Sequence, residues 1–187
     1  MIGIALLGAG RMARVHAKAI PAAGAKLVTV YDVVPAAAED LSAETGASVA
    51  RSAQEAFDRP DVAAVLVATS SDTHVELISQ AVQAGKAVMC EKPLAPSLSE
   101  ALRCIEALGE QAGKVFLAFN RRFDPGHAAV RQAIEAGEIG NSCDAEQSLE
   151  RQYPGDCFFE RQTAHPVAMH LRLGRHRPKK KHTEPSV

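Results

Sequence analysis

Residues 1–140 alternate short, uniformly apolar runs with amphipathic stretches, and this alternation constrains the fold more than any other feature of the 187-residue chain. The runs cover residues 2–7, 27–31, 62–68, 87–90 and 115–119. Each has strand length and lacks polar alternation, as expected of parallel strands covered on both faces. Helical patterns lie between them. In 97–112, Leu98, Ala101, Leu102, Ile105 and Leu108 recur at helical spacing, behind a Ser97/Glu100 capping signature and ahead of Gly113. Residues 73–84 repeat the pattern with Val75, Ile78, Ala81 and Val82 before Gly85. Asp124-Pro125 opens a further helix that Gly137 ends. Strands alternating with helices predict an α/β fold, a doubly wound parallel sheet with right-handed crossovers.

After Gly140 the text changes. Residues 141–187 show neither apolar period, carry eight Lys+Arg against six Asp+Glu, and hold four of the seven histidines. Residues 172–181 are strongly basic, ending in Lys179-Lys180-Lys181. Such a segment is expected to be a disordered tail. His165 and His170 have finger-like spacing, but thirteen residues separate Cys143 from Cys157, too many for a zinc knuckle, so no metal site is expected. The lysine cluster reads as solvated chain, without the interleaved aromatics of a nucleic-acid surface. A net charge of −1 removes the electrostatic case for nucleic-acid or membrane-surface binding. No apolar run reaches a membrane span, and the N-terminus lacks the basic start of a signal peptide. Four cysteines without a CxxC suit reduced thiols, and the expected location is cytoplasmic.

Gly8-Ala9-Gly10-Arg11-Met12-Ala13 follows the first apolar run and opens a helical stretch. This GxGxxA turn is a form of the dinucleotide fingerprint. Gly8 permits the tight turn, Gly10 lets backbone approach a pyrophosphate, and Ala13 is small enough for close helix–strand packing. The helix N-terminus supplies N–H groups and partial positive charge, which makes Gly8, Gly10, Arg11 and Met12 the expected cofactor contacts. The second run ends in Tyr31-Asp32, where a carboxylate can accept hydrogen bonds from both adenosine ribose hydroxyls. Val33 and Val34 follow, with no Arg to receive a 2′-phosphate, so NAD is expected rather than NADP.

Four landmarks then carry a resemblance. They are the GxGxxA turn, Thr69-Ser70-Ser71-Asp72-Thr73-His74, Glu91-Lys92-Pro93, and Phe119-Asn120-Arg121-Arg122-Phe123-Asp124-Pro125. In order and spacing, residues 1–140 resemble the glucose–fructose oxidoreductase/inositol dehydrogenase (Gfo/Idh/MocA) family, and the last stretch is most similar to its inositol 2-dehydrogenase branch. The resemblance implies a cofactor-contacting loop at Thr69 and His74 after the fourth strand. It implies that Glu91 and Lys92 lie beside the nicotinamide ribose and the substrate, with Lys92 catalytic, and that Asn120 lies near the nicotinamide. For His74 the rival reading is an ordinary first-turn helix residue; Arg121 and Arg122 are as readily structural partners of Asp124. Oxidising a secondary alcohol removes a hydride and a proton, and an amine at Lys92 can hydrogen-bond the substrate oxygen and help relay that proton.

The family's second domain contributes a D-x-x-x-H segment with the main acid/base histidine. Neither Asp144 nor Asp156 has a His four residues later. The expected organisation is a dinucleotide-binding domain over 1–120, a connecting helix over 121–140, and a non-homologous tail over 141–187, frame-shifted or otherwise aberrant. Two functions stay open on sequence alone. One is a truncated NAD-dependent oxidoreductase acting on a polyol or sugar. The other is a non-catalytic dinucleotide-binding module or inactive fragment. Oligomerisation is not expected without the second domain.

Overall fold

The computed structural model describes residues 1–138. The strands are β1 (Gly3–Leu7), β2 (Lys26–Tyr31), β3 (Ser48–Val49), β4 (Ala64–Val67), β5 (Ala87–Cys90) and β6 (Val115–Leu117). The helices are α1 (Arg11–Ala22), α2 (Pro35–Thr45), α3 (Ala53–Asp58), α4 (His74–Gln83), α5 (Leu98–Leu108) and α6 (Pro125–Glu135), with 3₁₀ turns at Gly109–Lys114 and Asn120–Phe123. The sheet order is β3-β2-β1-β4-β5-β6, and every pairing is parallel. This is the doubly wound fold the alternation predicts. The chain winds outward from β1 to β3, then returns to lay β4 on the other side of β1. That reversal opens a crevice at the carboxyl ends of β1 and β4, where such sheets bind ligands.

The uniformly apolar runs divide by alternation once they become strands. Ala5, Leu7, Val65, Val67, Val88 and Cys90 point to the face packed by Phe57 of α3, Ile78 and Val82 of α4, and Cys104 of α5. Leu6 and Leu66 point to the other face, against Ala13, Ala17 and Ile20 of α1 and Leu41 of α2. Three helices thus cover one face and two the other. Over β5 and β6 the thinner side leaves Met89 half-buried and Phe116 44% exposed. The Phe116 ring lies 6.1 Å from that of Phe123.

Several assignments differ from expectation, among them the run at 115–119, which is strand only to Leu117. The apolar runs do not reveal β3, which is only two residues long and partly polar. It is fixed by hydrogen bonds: Thr29 Oγ1 donates to the Ser48 carbonyl at 3.0 Å, and Ser48 Oγ to the Val28 carbonyl at 3.1 Å. The run at 62–68 becomes a strand only from Ala64, although Val62 is buried. The helix expected to continue to 112 ends at Leu108, because Gly109 turns into positive φ (+52°) and the next residues tighten into a 3₁₀ turn. The helix after Asp124-Pro125 forms as expected, with the Asp124 carboxylate accepting the His127 N–H at 2.9 Å. The expected tail and the weighed zinc ligands Cys143, Cys157, His165 and His170 lie outside the described residues. Among the described residues, no helix is long and apolar enough to cross a membrane.

Candidate functional site

Gly8 and Gly10 build the floor of the crevice in different ways. Gly8 has φ +96°, and a Cβ there would stand 2.6 Å from the Ala68 carbonyl oxygen of the neighbouring strand end. Its N–H donates to the Tyr31 carbonyl at 2.7 Å, which ties the turn to β2. A Cβ on Gly10 would meet nothing within 4 Å. It would project into open space, where a ligand could otherwise approach the backbone. Gly10 is the N-cap of α1 and brings no side chain to cap it, and the first turn of α1 holds no acidic residue. The N-terminal amides and partial positive charge of a 12-residue helix are therefore free to meet an anion. Ala13 is fully buried, so α1 sits close against the sheet.

These groups open onto a cleft of about 430 Å³ lined by Gly10, Arg11, Met12, Ala68, Thr69, Ser71, His74, Glu91, Lys92 and Pro93. Seven sequence-predicted residues thus line one space: Gly10, Arg11, Met12, Thr69, His74, Glu91 and Lys92. Gly8 lies beneath it. Asp32 and Asn120 are outside the lining. Asp32 ends the neighbouring strand, and its carboxylate accepts the Ala9 N–H at 2.7 Å and the Val34 N–H at 2.8 Å. One carboxylate thereby clamps the glycine turn to the end of β2 and keeps lone pairs for further donors. Asn120 is exposed at the start of the 3₁₀ turn after β6. Arg121 Nη1 contacts His127 Nε2 at 3.1 Å, and His127 Nδ1 stands 2.8 Å from Asp124. Arg121 therefore belongs to a polar chain at the α6 N-terminus.

The wall of the cleft is held by two histidines. His74 is 1% exposed, with Nδ1 2.8 Å from the Pro93 carbonyl and Nε2 3.2 Å from the Thr69 carbonyl. It joins the β4–α4 loop to the Glu91-Lys92-Pro93 segment. The Thr69 hydroxyl meets that of Thr73 at 2.7 Å, closing its own loop. Glu91 is buried; its N–H donates to the Val67 carbonyl at 2.9 Å, and one carboxylate oxygen accepts the Lys92 N–H at 3.2 Å. The other oxygen lies 2.7 Å from Nε2 of His16 on α1. Lys92 itself is exposed to the cleft. Cys90, immediately before this segment, is buried, and burial with the neighbouring Glu91 charge pushes its thiol pKa upward. It is therefore not set up as a nucleophile.

Ser71 and Pro93 stand inside the quoted sequence landmarks but without a role there, and His16 stands outside them. His16 carries a weaker signal: it falls four residues after Met12, on the flank of the Ala13/Ala17 stripe that packs on the sheet. Among the described residues, no group of three or more His, Cys, Asp or Glu is placed to hold a metal ion. The cleft therefore combines an uncapped helix terminus and an exposed amine, with the Asp32 carboxylate outside its lining at the neighbouring strand end. Together they can receive a pyrophosphate, a ribose diol and a polar substrate oxygen.

Comparison with known proteins bears on the family and the fold. The model of the Gfo/Idh/MocA group, described as an oxidoreductase family with an NAD-binding Rossmann fold, matches residues 2–119. An inositol 2-dehydrogenase of Rhizobium meliloti is 43% identical over 136 residues, covering 72% of this chain and 41% of that protein. A solved myo-inositol dehydrogenase from Corynebacterium glutamicum superposes with TM-score 0.70 at 39% identity, covering 75% of this chain and 43% of its own. A scyllo-inositol dehydrogenase from Lactobacillus casei, solved with bound NAD(H) and scyllo-inositol, also gives 0.70, at 30% identity over 75% of this chain and 42% of its own. The chain thus spans about two fifths of the length of the curated relatives it matches.

Proposed function

The chain belongs to this Gfo/Idh/MocA oxidoreductase family, and from that premise we propose that its cleft binds NAD and serves oxidation of a polyol of the inositol type. The observation that carries the reading is the convergence of the uncapped α1 N-terminus and Lys92 on one cleft, with Asp32 clamping the turn between β1 and α1. The amides of α1 and the Arg11 guanidinium would hold the pyrophosphate. Asp32 would accept the adenosine ribose hydroxyls, and its negative charge beside exposed Val33 and Val34 disfavours a 2′-phosphate. This selects NAD over NADP. Asn120 would approach the nicotinamide end from the segment after β6. When bound, NAD supplies a hydride acceptor for the substrate carbon.

Lys92 would do the chain's own share of the chemistry. Its ammonium can donate to the substrate oxygen, and as a neutral amine it can accept the hydroxyl proton and pass it on. Glu91 holds the Lys92 backbone, and His74 holds Pro93 and Thr69. We read His74 as a strut between two cofactor loops, since its ring nitrogens face backbone carbonyls.

Binding and turnover are tested apart, because the matched region covers only 41% of the first relative. With myo- or scyllo-inositol and NAD, the 187-residue chain should form NADH, and Lys92→Ala should lower the rate by about 100-fold or more. Equal rates in the two proteins would remove Lys92 from the chemistry. NAD binding without turnover would favour the non-catalytic module.

A further inference from the structure

Among the described residues, His16 is the α1 side chain that hydrogen-bonds to the Lys92 segment. Its Nε2 stands 2.7 Å from Glu91 Oε1, and the two side chains are only 15% and 12% exposed. The other Glu91 oxygen accepts the Lys92 N–H at 3.2 Å, and the Glu91 N–H is bound to the end of β4. Glu91 is therefore held on three sides, and His16 supplies the only contact among these that comes from the glycine-turn helix. A carboxylate this deeply buried is costly to leave without a partner. Without His16, Oε1 would lose the partner it has among the described residues, and the carboxylate would turn to find another donor, drawing on the Lys92 N–H held by its second oxygen.

We propose that His16 is a positioning residue for Lys92, acting through Glu91 to set the lysine segment in register with the helix whose N-terminus meets the dinucleotide. The arrangement makes two parts of the cleft interdependent. Anything that shifts α1, including a pyrophosphate at its first turn, is transmitted to Lys92 through one short contact, and displacement of Lys92 is felt at the helix. The proposal rests on the dinucleotide reading of the cleft.

The test uses the whole chain with NADH as the probe. One readout is NADH affinity by fluorescence titration. The other is the resonance of the Lys92 amine after isotope-labelled reductive methylation, assigned by its disappearance in Lys92→Arg. His16→Gln places an amide nitrogen near the position of Nε2 and can keep the bond to Glu91. His16→Asn is similar in polarity but too short to reach. His16→Asn should displace the Lys92 resonance and weaken NADH binding about tenfold, and His16→Gln should restore both to within about twofold of the unsubstituted chain.

A second measurement needs no variant. In the unsubstituted chain, the His16 ring nitrogens and the labelled Lys92 amine should shift with one midpoint as NADH is added. An unmoved Lys92 resonance with unchanged affinity in His16→Asn overturns the proposal, as does a His16 ring that stays still while Lys92 moves. Failure of the unsubstituted chain to bind NADH would instead overturn the dinucleotide reading. The Lys92 resonance of His16→Asn, measured without NADH, would still decide whether the two residues are coupled.

Discussion

Gly8 and Gly10 stand two residues apart and lack side chains for opposite reasons. At Gly8 the protein has no room: φ is +96° and the Ala68 carbonyl would lie 2.6 Å from a Cβ. Gly8→Ala should therefore destabilise the fold, by about 3 kcal/mol in urea unfolding, through backbone strain and displacement of the β4 end. At Gly10 there is room in the protein, φ is −74°, and on the proposed reading a pyrophosphate takes that space. Gly10→Ala should leave stability within about 0.5 kcal/mol while weakening NADH about tenfold or more. Loss of stability in Gly10→Ala, or unchanged NADH affinity, would count against the cradle. Asp32 gives a third test at this scale. Asp32→Asn removes the charge, and its single oxygen can keep only one of the two N–H bonds, so it should loosen the turn and narrow the preference for NADH over NADPH.

The elements were legible in proportion to the length of their patterns. The α4 and α5 periodicities and the Asp124-Pro125 start are long or chemically explicit, and the helices stand there. Ser97 caps α5 by accepting the Glu100 N–H at 3.3 Å, while its hydroxyl donates to the Glu100 carboxylate at 2.8 Å. Ser97→Ala should cost about 1 kcal/mol in chemical unfolding. The β3 strand could not be read from apolar patterning, because two residues carry no period and its place depends on side-chain bonds from Thr29 and Ser48. The early end of α5 turns on Gly109, whose conformation local spacing does not reveal.

At the start of α6, the side-chain and backbone hydrogen bonds from His127 hold the Asp124 carboxyl below the ordinary aspartate range. A depressed folded value means that the cap's contribution is present above the ordinary value of 3.8 and is lost as pH falls through the lowered one. The His127 amide resonance should move over that acid range, and Asp124→Asn should abolish the transition.

For the whole molecule, the sheet order explains why residues far apart in sequence form one site. Turns following β1, β4 and β5 meet at the reversal, so a glycine turn near residue 10, a loop near 70 and a lysine at 92 line one cleft. Sequence motifs identify these participants but not the contacts between them. The Asp32 clamp on Ala9, the His74 bridge and the His16–Glu91 pair all join residues separated in the chain, and no local spacing encodes them. The same packing buries Cys90 and Cys104, and burial raises both thiol pKa values. Peptide-resolved alkylation near neutral pH should leave both unmodified in the folded protein and label them once denaturant is added.

The most direct test of the account is titration of the purified 187-residue chain with NADH and, in parallel, NADPH, followed by nicotinamide fluorescence. NADH should bind saturably and NADPH more weakly, and Gly10→Ala should lose NADH affinity at unchanged stability. Binding of neither nucleotide, or equal binding by Gly10→Ala, would contradict the assignment of this cleft to the dinucleotide.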